Sequence, residues 1–236
     1  LRRPLRSPLC LARPAMTRER PPAPCRLVVL DFDGTLADSF PWFCSVINGV
    51  ADRYRFRRIA EDEVEALRAL GAREIVAHLG VPLWKLPAIA RHMHGLAARD
   101  IDGLRLFPGV PDALTALAGR GLRLAILSSN TEANVRRVLG SDLAGLVEAY
   151  ACGASLFGKA RRLSALIRRC GVAPKEVLSV GDEIRDAEAA RAAGCAFGAV
   201  AWGYTRADAL AATGPDHLFE EPGQIARLLA GTPVLA

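Results

Sequence analysis

The chain has 236 residues, room for one sizeable core and a smaller module, and 51% of them are hydrophobic without any apolar run of membrane-spanning length. A membrane-spanning helical protein is therefore excluded. The formal charge of +6 is local: residues 1–26 hold seven of the 31 Lys and Arg and one of the 25 Asp and Glu, which leaves 24 of each sign elsewhere. A balanced body argues against nucleic acid as partner.

Residues 1–26 are rich in Arg and Pro, lack hydrophobic periodicity, and are expected to form a disordered basic tail. They have no apolar core of the kind a secretory signal needs, and their six prolines interrupt any amphipathic transit helix. Met16 lies shortly before the first strand, so residues 1–15 read as an upstream extension that is not native; a basic arm touching an acidic partner is the rival reading. The six cysteines show no framework spacing, read as reduced, and point to the cytoplasm.

The first strand is the apolar run Leu27-Val28-Val29-Leu30, which empties into Asp31-Phe32-Asp33-Gly34-Thr35. Four consecutive Leu and Val residues fit a parallel strand buried on both faces, and catalytic residues of such sheets lie just past the strand ends. Continued extended geometry would project Asp31 and Asp33 to one side, and Gly34 would let backbone N–H groups approach an anion. Residues 39–105 then read as a helical insertion, with helices over 41–54, 61–70, 72–79 and 86–98 and breaks at Gly71, Gly80 and Pro82. Within it, Arg53, Arg55, Arg57 and Arg58 read as a solvated edge, while Trp42 and Trp84 read as packing residues.

From Pro108 onward the pattern alternates: helix 112–119, strand 122–127, helix 132–139, strand 147–151, helix 160–169, strand 177–180, helix 187–193 and strand 196–201. Such alternation predicts an α/β fold with a doubly wound, Rossmann-like parallel sheet. The strand 122–127 ends in Ser128-Ser129-Asn130, which also reads as a plain turn and helix cap. Lys159 heads the helix 160–169 and is one of only three lysines in an arginine-rich chain. The strand 177–180 runs into Gly181-Asp182-Glu183-Ile184-Arg185-Asp186, where helical geometry would turn Asp182 and Asp186 toward one point.

These four segments, in this order, resemble the motifs of the haloacid dehalogenase superfamily, and among its members the pattern looks most like phosphoglycolate phosphatases and their relatives. The resemblance covers nearly everything after Arg26. It implies a core of residues 27–38 and 106–236, with residues 39–105 as a helical cap over the active site. It makes Asp31 the nucleophile and Asp33 the acid and base, with Ser128 and Lys159 completing the catalytic set. Gly34, Thr35, Ser129, Asn130 and the cap residue Arg73 would bind substrate. Thr35 would orient Asp33 or the flap. The metal ligands would be Asp31, the Asp33 backbone carbonyl, Asp182 and, directly or through water, Asp186.

Clustered carboxylates repel a phosphate dianion unless a divalent cation intervenes, and Mg2+ suits all-oxygen coordination. No histidine or cysteine cluster of zinc-site spacing is present in the sequence. The implied function is Mg2+-dependent hydrolysis of a small phosphorylated metabolite, a phosphomonoester such as phosphoglycolate or a sugar phosphate, through an aspartyl phosphate. A sugar-phosphate mutase of the same superfamily and a non-catalytic binding protein on this fold are the alternatives. No membrane partner is expected, and monomer and dimer both stay open.

Overall fold

The computed structural model describes residues 25–153 and 158–231. Strand β1 (Leu27–Leu30) is followed by the helical insertion: α1 (Phe40–Tyr54), α2 (Val64–Leu67), α3 (Ala72–His78) and α4 (Leu86–Arg99). The chain then continues through α5 (Val110–Gly119), β2 (Arg123–Leu127), α6 (Glu132–Leu146), β3 (Val147–Ala151) and α7 (Lys159–Arg169). It ends with β4 (Val177–Gly181), α8 (Ile184–Ala193), β5 (Ala196–Val200), α9 (Ala207–Ala211), β6 (His217–Phe219) and α10 (Pro222–Leu228).

The six strands form one parallel sheet in the order β3-β2-β1-β4-β5-β6. Alternation within β1 explains its uniform apolarity. Val28 and Leu30 enter a core with Leu114, Leu117 and Ile225 from α5 and α10, whereas Leu27 and Val29 face Leu163, Leu166 and Ile167 of α7. The strand is thus buried on both faces, as a central parallel strand must be. The chain moves outward from β1 to β3 and then returns to β4 on the other side of β1. That reversal opens a crevice beyond the carboxyl ends of β1 and β4, the usual ligand position in such sheets.

The insertion leaves and re-enters the sheet at adjacent points. Asp38 N–H donates to the Arg105 carbonyl and Phe107 N–H to the Leu36 carbonyl, each at 2.9 Å, and Ala37 pairs antiparallel with Leu106. Above these linkers the insertion is seated on the core by Arg68, whose guanidinium donates to the carbonyls of Gly203 and Tyr204 at 2.9 Å each. Phe40 packs against the edge of Tyr204, their ring centroids 5.0 Å apart.

Several elements differ from the sequence expectation. The helix expected over 61–70 is a 3-10 turn, Glu61–Glu63, followed by the single turn of α2. The first part of α6 matches the expected helix 132–139; Gly140, at φ 72°, is non-helical and kinks the path, and a second helical stretch that was not expected follows to Leu146. Trp84 is 78% exposed, so it is not a packing residue; Lys85 Nζ lies 5.4 Å from its ring. Cys25 and Arg26, expected in the tail, belong to the core: Cys25 is buried and Arg26 continues the sheet bonding to Glu176 and Arg123. Residues 1–24, with the extension read as non-native, lie outside the described residues. No helix among the described residues is long and apolar enough to cross a membrane, and the five cysteines among them are free.

Candidate active site

The crevice between β1 and β4 collects the acidic residues of two distant segments. Asp31 follows β1 directly, anchored by its N–H to the Val180 carbonyl at 2.9 Å, and Asp182 follows β4. Asp186 sits in the first turn of α8, and its Oδ2 accepts the Glu183 N–H at 3.0 Å, closing the helix start. One carboxylate oxygen each from Asp31, Asp182 and Asp186 lies within 4.8 Å of the others, and all three residues are buried. Like charges at such spacing repel by about 4 kcal/mol per pair at an effective dielectric of about 20. Three hard oxygen donors held together at that cost fit a divalent cation of the Mg2+ kind.

The first residue of α7 supplies the opposing charge. Lys159 Nζ donates to Asp31 Oδ2 at 2.5 Å and pairs with Asp186 as well. Burial pushes the Asp31 carboxyl up to about 7, against the pull of Lys159. Burial also works against the Lys159 charge, but Asp186 and Asp31 outweigh it and hold the ammonium protonated above its ordinary range. Asp182 is raised well above the usual carboxylate range, by burial first and then by Glu183, Asp31 and Asp186.

Asp33 lies at the mouth of the site. Part of its surface stays open, but protein surrounds the carboxyl closely enough that desolvation raises its pKa, opposed by hydrogen bonds from Ser39 and Asn130. A carboxyl raised in this way is poised to carry a proton. Asn130 Nδ2 lies 3.2 Å from Asp33 Oδ2. Ser128 is fully buried, and its Oγ accepts the Asn130 N–H at 3.0 Å; Ser129, half-buried, stands between them.

Gly34 and Thr35 make contacts that the sequence did not indicate. The N–H of Gly34 itself donates to the Ala37 carbonyl at 2.9 Å. Glycine is needed there because φ is +77° and a Cβ would stand 2.2 Å from Asp182 Oδ2. Thr35 orients neither Asp33 nor a flap; its hydroxyl donates to Asp182 Oδ1 at 2.7 Å. Arg73 is exposed in the first turn of α3.

Other residues at the site had no role in the sequence reading. Arg185, between Glu183 and Asp186, turns into the site, donates to Glu183 Oε1 at 2.5 Å and lowers the pKa of both Asp31 and Asp33. Its position among three acids was the available signal. The loop after β5 supports the carboxylates from the far side: Tyr204 N–H donates to Asp182 Oδ2 at 2.8 Å, and Trp202 Nε1 donates to the Thr35 carbonyl at 3.1 Å. Nothing local in that loop announced this.

The sequence pattern of haloacid dehalogenase-like hydrolases matches residues 28–200. A phosphoglycolate phosphatase of Synechococcus elongatus is 37% identical over 199 residues, covering 84% of this chain and 94% of that protein. A Lactobacillus plantarum protein of known structure superposes with a TM-score of 0.75 at 21% identity, over 87% of this chain and 100% of that one. CbbY of Rhodobacter sphaeroides, solved with phosphate, gives a TM-score of 0.66 at 20% identity over 85% and 96%. At those identities the two structures speak for the fold alone. The length of the sequence match and the 37% identity carry the assignment further: this chain belongs to the haloacid dehalogenase-like hydrolase family.

Proposed function

We propose that the protein is a Mg2+-dependent phosphatase that hydrolyses a small phosphomonoester, of the phosphoglycolate kind, through an aspartyl phosphate. The observation that carries this reading is Asp31 itself, buried, paired with Lys159 and grouped with Asp182 and Asp186, with a second acid two residues on. The name of the Synechococcus relative supports phosphoglycolate as the first substrate to try.

In this reading the side chains of Asp31, Asp182 and Asp186, with the Asp33 carbonyl, hold Mg2+, which offsets the charge of the carboxylates and of the phosphoryl group. Lys159 opposes protonation of Asp31 and holds it in place. Asp31 attacks phosphorus in line, and the leaving oxygen takes the proton of Asp33 as its bond to phosphorus breaks. Asp33, now a carboxylate, takes a proton from the water that hydrolyses the aspartyl phosphate, which frees Asp31 and releases phosphate. Ser128, Ser129 and Asn130 border the phosphoryl position, and the helical insertion acts as a cap whose Arg73 reads a second anionic group of the substrate.

Release of inorganic phosphate from phosphoglycolate, sugar phosphates and aryl phosphates, with Mg2+ and with excess chelator, tests this. Hydrolysis that needs the metal and vanishes in Asp31→Asn is expected. Undiminished turnover in chelator, or in Asp31→Asn, would overturn it. Transfer of phosphate to a second sugar instead of water would identify a mutase.

A further inference from the structure

Asn130 faces Asp33 with an amide, and an amide offers either two donors or an acceptor to its neighbour. For a carboxyl that must alternately hold and release a proton, the two faces differ in sign. The orientation is set from behind. Asn130 Oδ1 accepts the Thr131 N–H at 2.9 Å and Asn134 Nδ2 at 3.0 Å, so its acceptor end is occupied and the NH2 end turns to Asp33. The Thr131 donor is backbone at the cap of α6, where Thr131 Oγ1 also receives the Asn134 N–H at 3.2 Å.

Asn134 is therefore the side-chain member of the arrangement, and it is buried along with Asn130. The same Asn134 Nδ2 that binds Asn130 also lies 3.3 Å from the His94 carbonyl oxygen in α4. One NH2 group has two hydrogens, and here they have two acceptors: one behind the acid, one in the helical insertion.

We propose that Asn134 is a positioning residue for proton transfer at Asp33, locking the Asn130 amide with its donor end toward the carboxyl and tying that lock to the seating of α4. The inference rests on the aspartyl-phosphate reading above. The step it governs is the first: the Asp31 oxygen bonds to phosphorus, the ester P–O bond breaks, and the proton of Asp33 passes to the departing alkoxide. An aryl leaving group of low pKa needs little of that proton, so damage to Asp33 alone falls on alkyl substrates.

The test uses the full chain with Mg2+, and compares Asn134→Leu and Asn134→Asp with the wild type in rapid mixing against p-nitrophenyl phosphate and an alkyl phosphate. Asn134→Leu removes both donations. Asn134→Asp keeps the size but offers Asn130 only acceptors, which favours the flipped amide. Nitrophenol bursts within about twofold of wild type are expected, with phosphoenzyme formation from the alkyl phosphate slowed about tenfold or more. Once Asn130 is replaced by Leu, adding Asn134→Leu should cost no more than about twofold further, because the second residue acts through the first. Should Asn134→Leu not fold, Asn134→Asp carries the comparison. Equal losses on both substrates, no loss on either, or additive losses in the double variant overturn the inference alone. A wild type that turns over neither substrate overturns the phosphatase reading, and this inference with it.

Discussion

Thr35 and Asp182 stand 147 residues apart in sequence and share a 2.7 Å hydrogen bond, hydroxyl to carboxylate, that fastens the end of the first motif to the end of β4. With Tyr204 N–H on its other oxygen, Asp182 is held at both ends before any cation arrives. Removing a donor to a buried charged group costs about 1.5–3 kcal/mol. Thr35→Val should therefore weaken Mg2+ activation by about tenfold or more, while Thr35→Ser retains it. Activity titrated against Mg2+ checks this; unchanged activation in the valine variant would show that Tyr204 alone positions the carboxylate.

Gly203 allows the loop after β5 to lie against that same carboxylate. A Cβ at this position would stand 2.1 Å from the Cβ of Asp182. Overpacking of this kind costs about 1–3 kcal/mol. Gly203→Ala should lower the melting temperature by several degrees and weaken Mg2+ binding together. Gly145→Ala is the control, since nothing lies within 4 Å of a Cβ there. Equal behaviour of the two variants would contradict the packing described.

The metal-free protein should lose stability as pH rises from the acid range towards neutrality. An unfolded aspartate ionises near about 4, whereas the buried Asp31 does so at about 7. The folded state keeps the proton longer, so this contribution to stability is complete below about pH 4 and is lost as pH rises through about 7. Asp182 is shifted in the same direction. Thermal melts in chelator should fall between about pH 4 and 7 and level off above that, and Asp31→Asn should flatten the slope. Mg2+ should raise the melting temperature more at the upper end of that range, because it competes with protons for the same oxygens. A pH-independent melt in chelator would count against ionisation at this cluster.

Arg73 offers a separate test of substrate reading. It begins α3 in the insertion, exposed rather than buried among the carboxylates. If it binds a second anionic group, Arg73→Ala should reduce kcat/KM for phosphoglycolate by about tenfold while leaving an uncharged aryl phosphate nearly unchanged. Equal loss on both would assign the residue to seating of the insertion.

The parts of the site legible in the sequence were those written as strand ends. Asp31, Lys159, Asp182 and Asp186 each stand where an apolar strand stops or a helix starts, and the parallel sheet brings those ends together at its switch point. The demand on Gly34 and Thr35 comes from Asp182, a contact no local pattern encodes. Asn134 reads as an ordinary first-turn helix residue, and Tyr204 as one aromatic in a loop; their partners lie across the fold. Trp84 failed on composition alone: a tryptophan is presumed to be packed, and this one faces solvent beside Lys85.

The paired linkers at 36–38 and 105–107 have a consequence for how such a protein can change over generations. Because the chain departs and returns on neighbouring, mutually hydrogen-bonded segments, the sheet connection asks only that those two segments meet, and the insertion touches the core elsewhere through a few named contacts, Arg68, Phe40 and His94 among them. Lengthening the excursion between them adds little closure entropy, about 0.6 kcal/mol per doubling. Much of the intervening stretch can be rewritten or enlarged without shifting the register of β1 against β2 or β4, on which the carboxylates depend. The insertion and the sheet can thus vary largely apart, with the paired linkers and those few contacts as what must be kept.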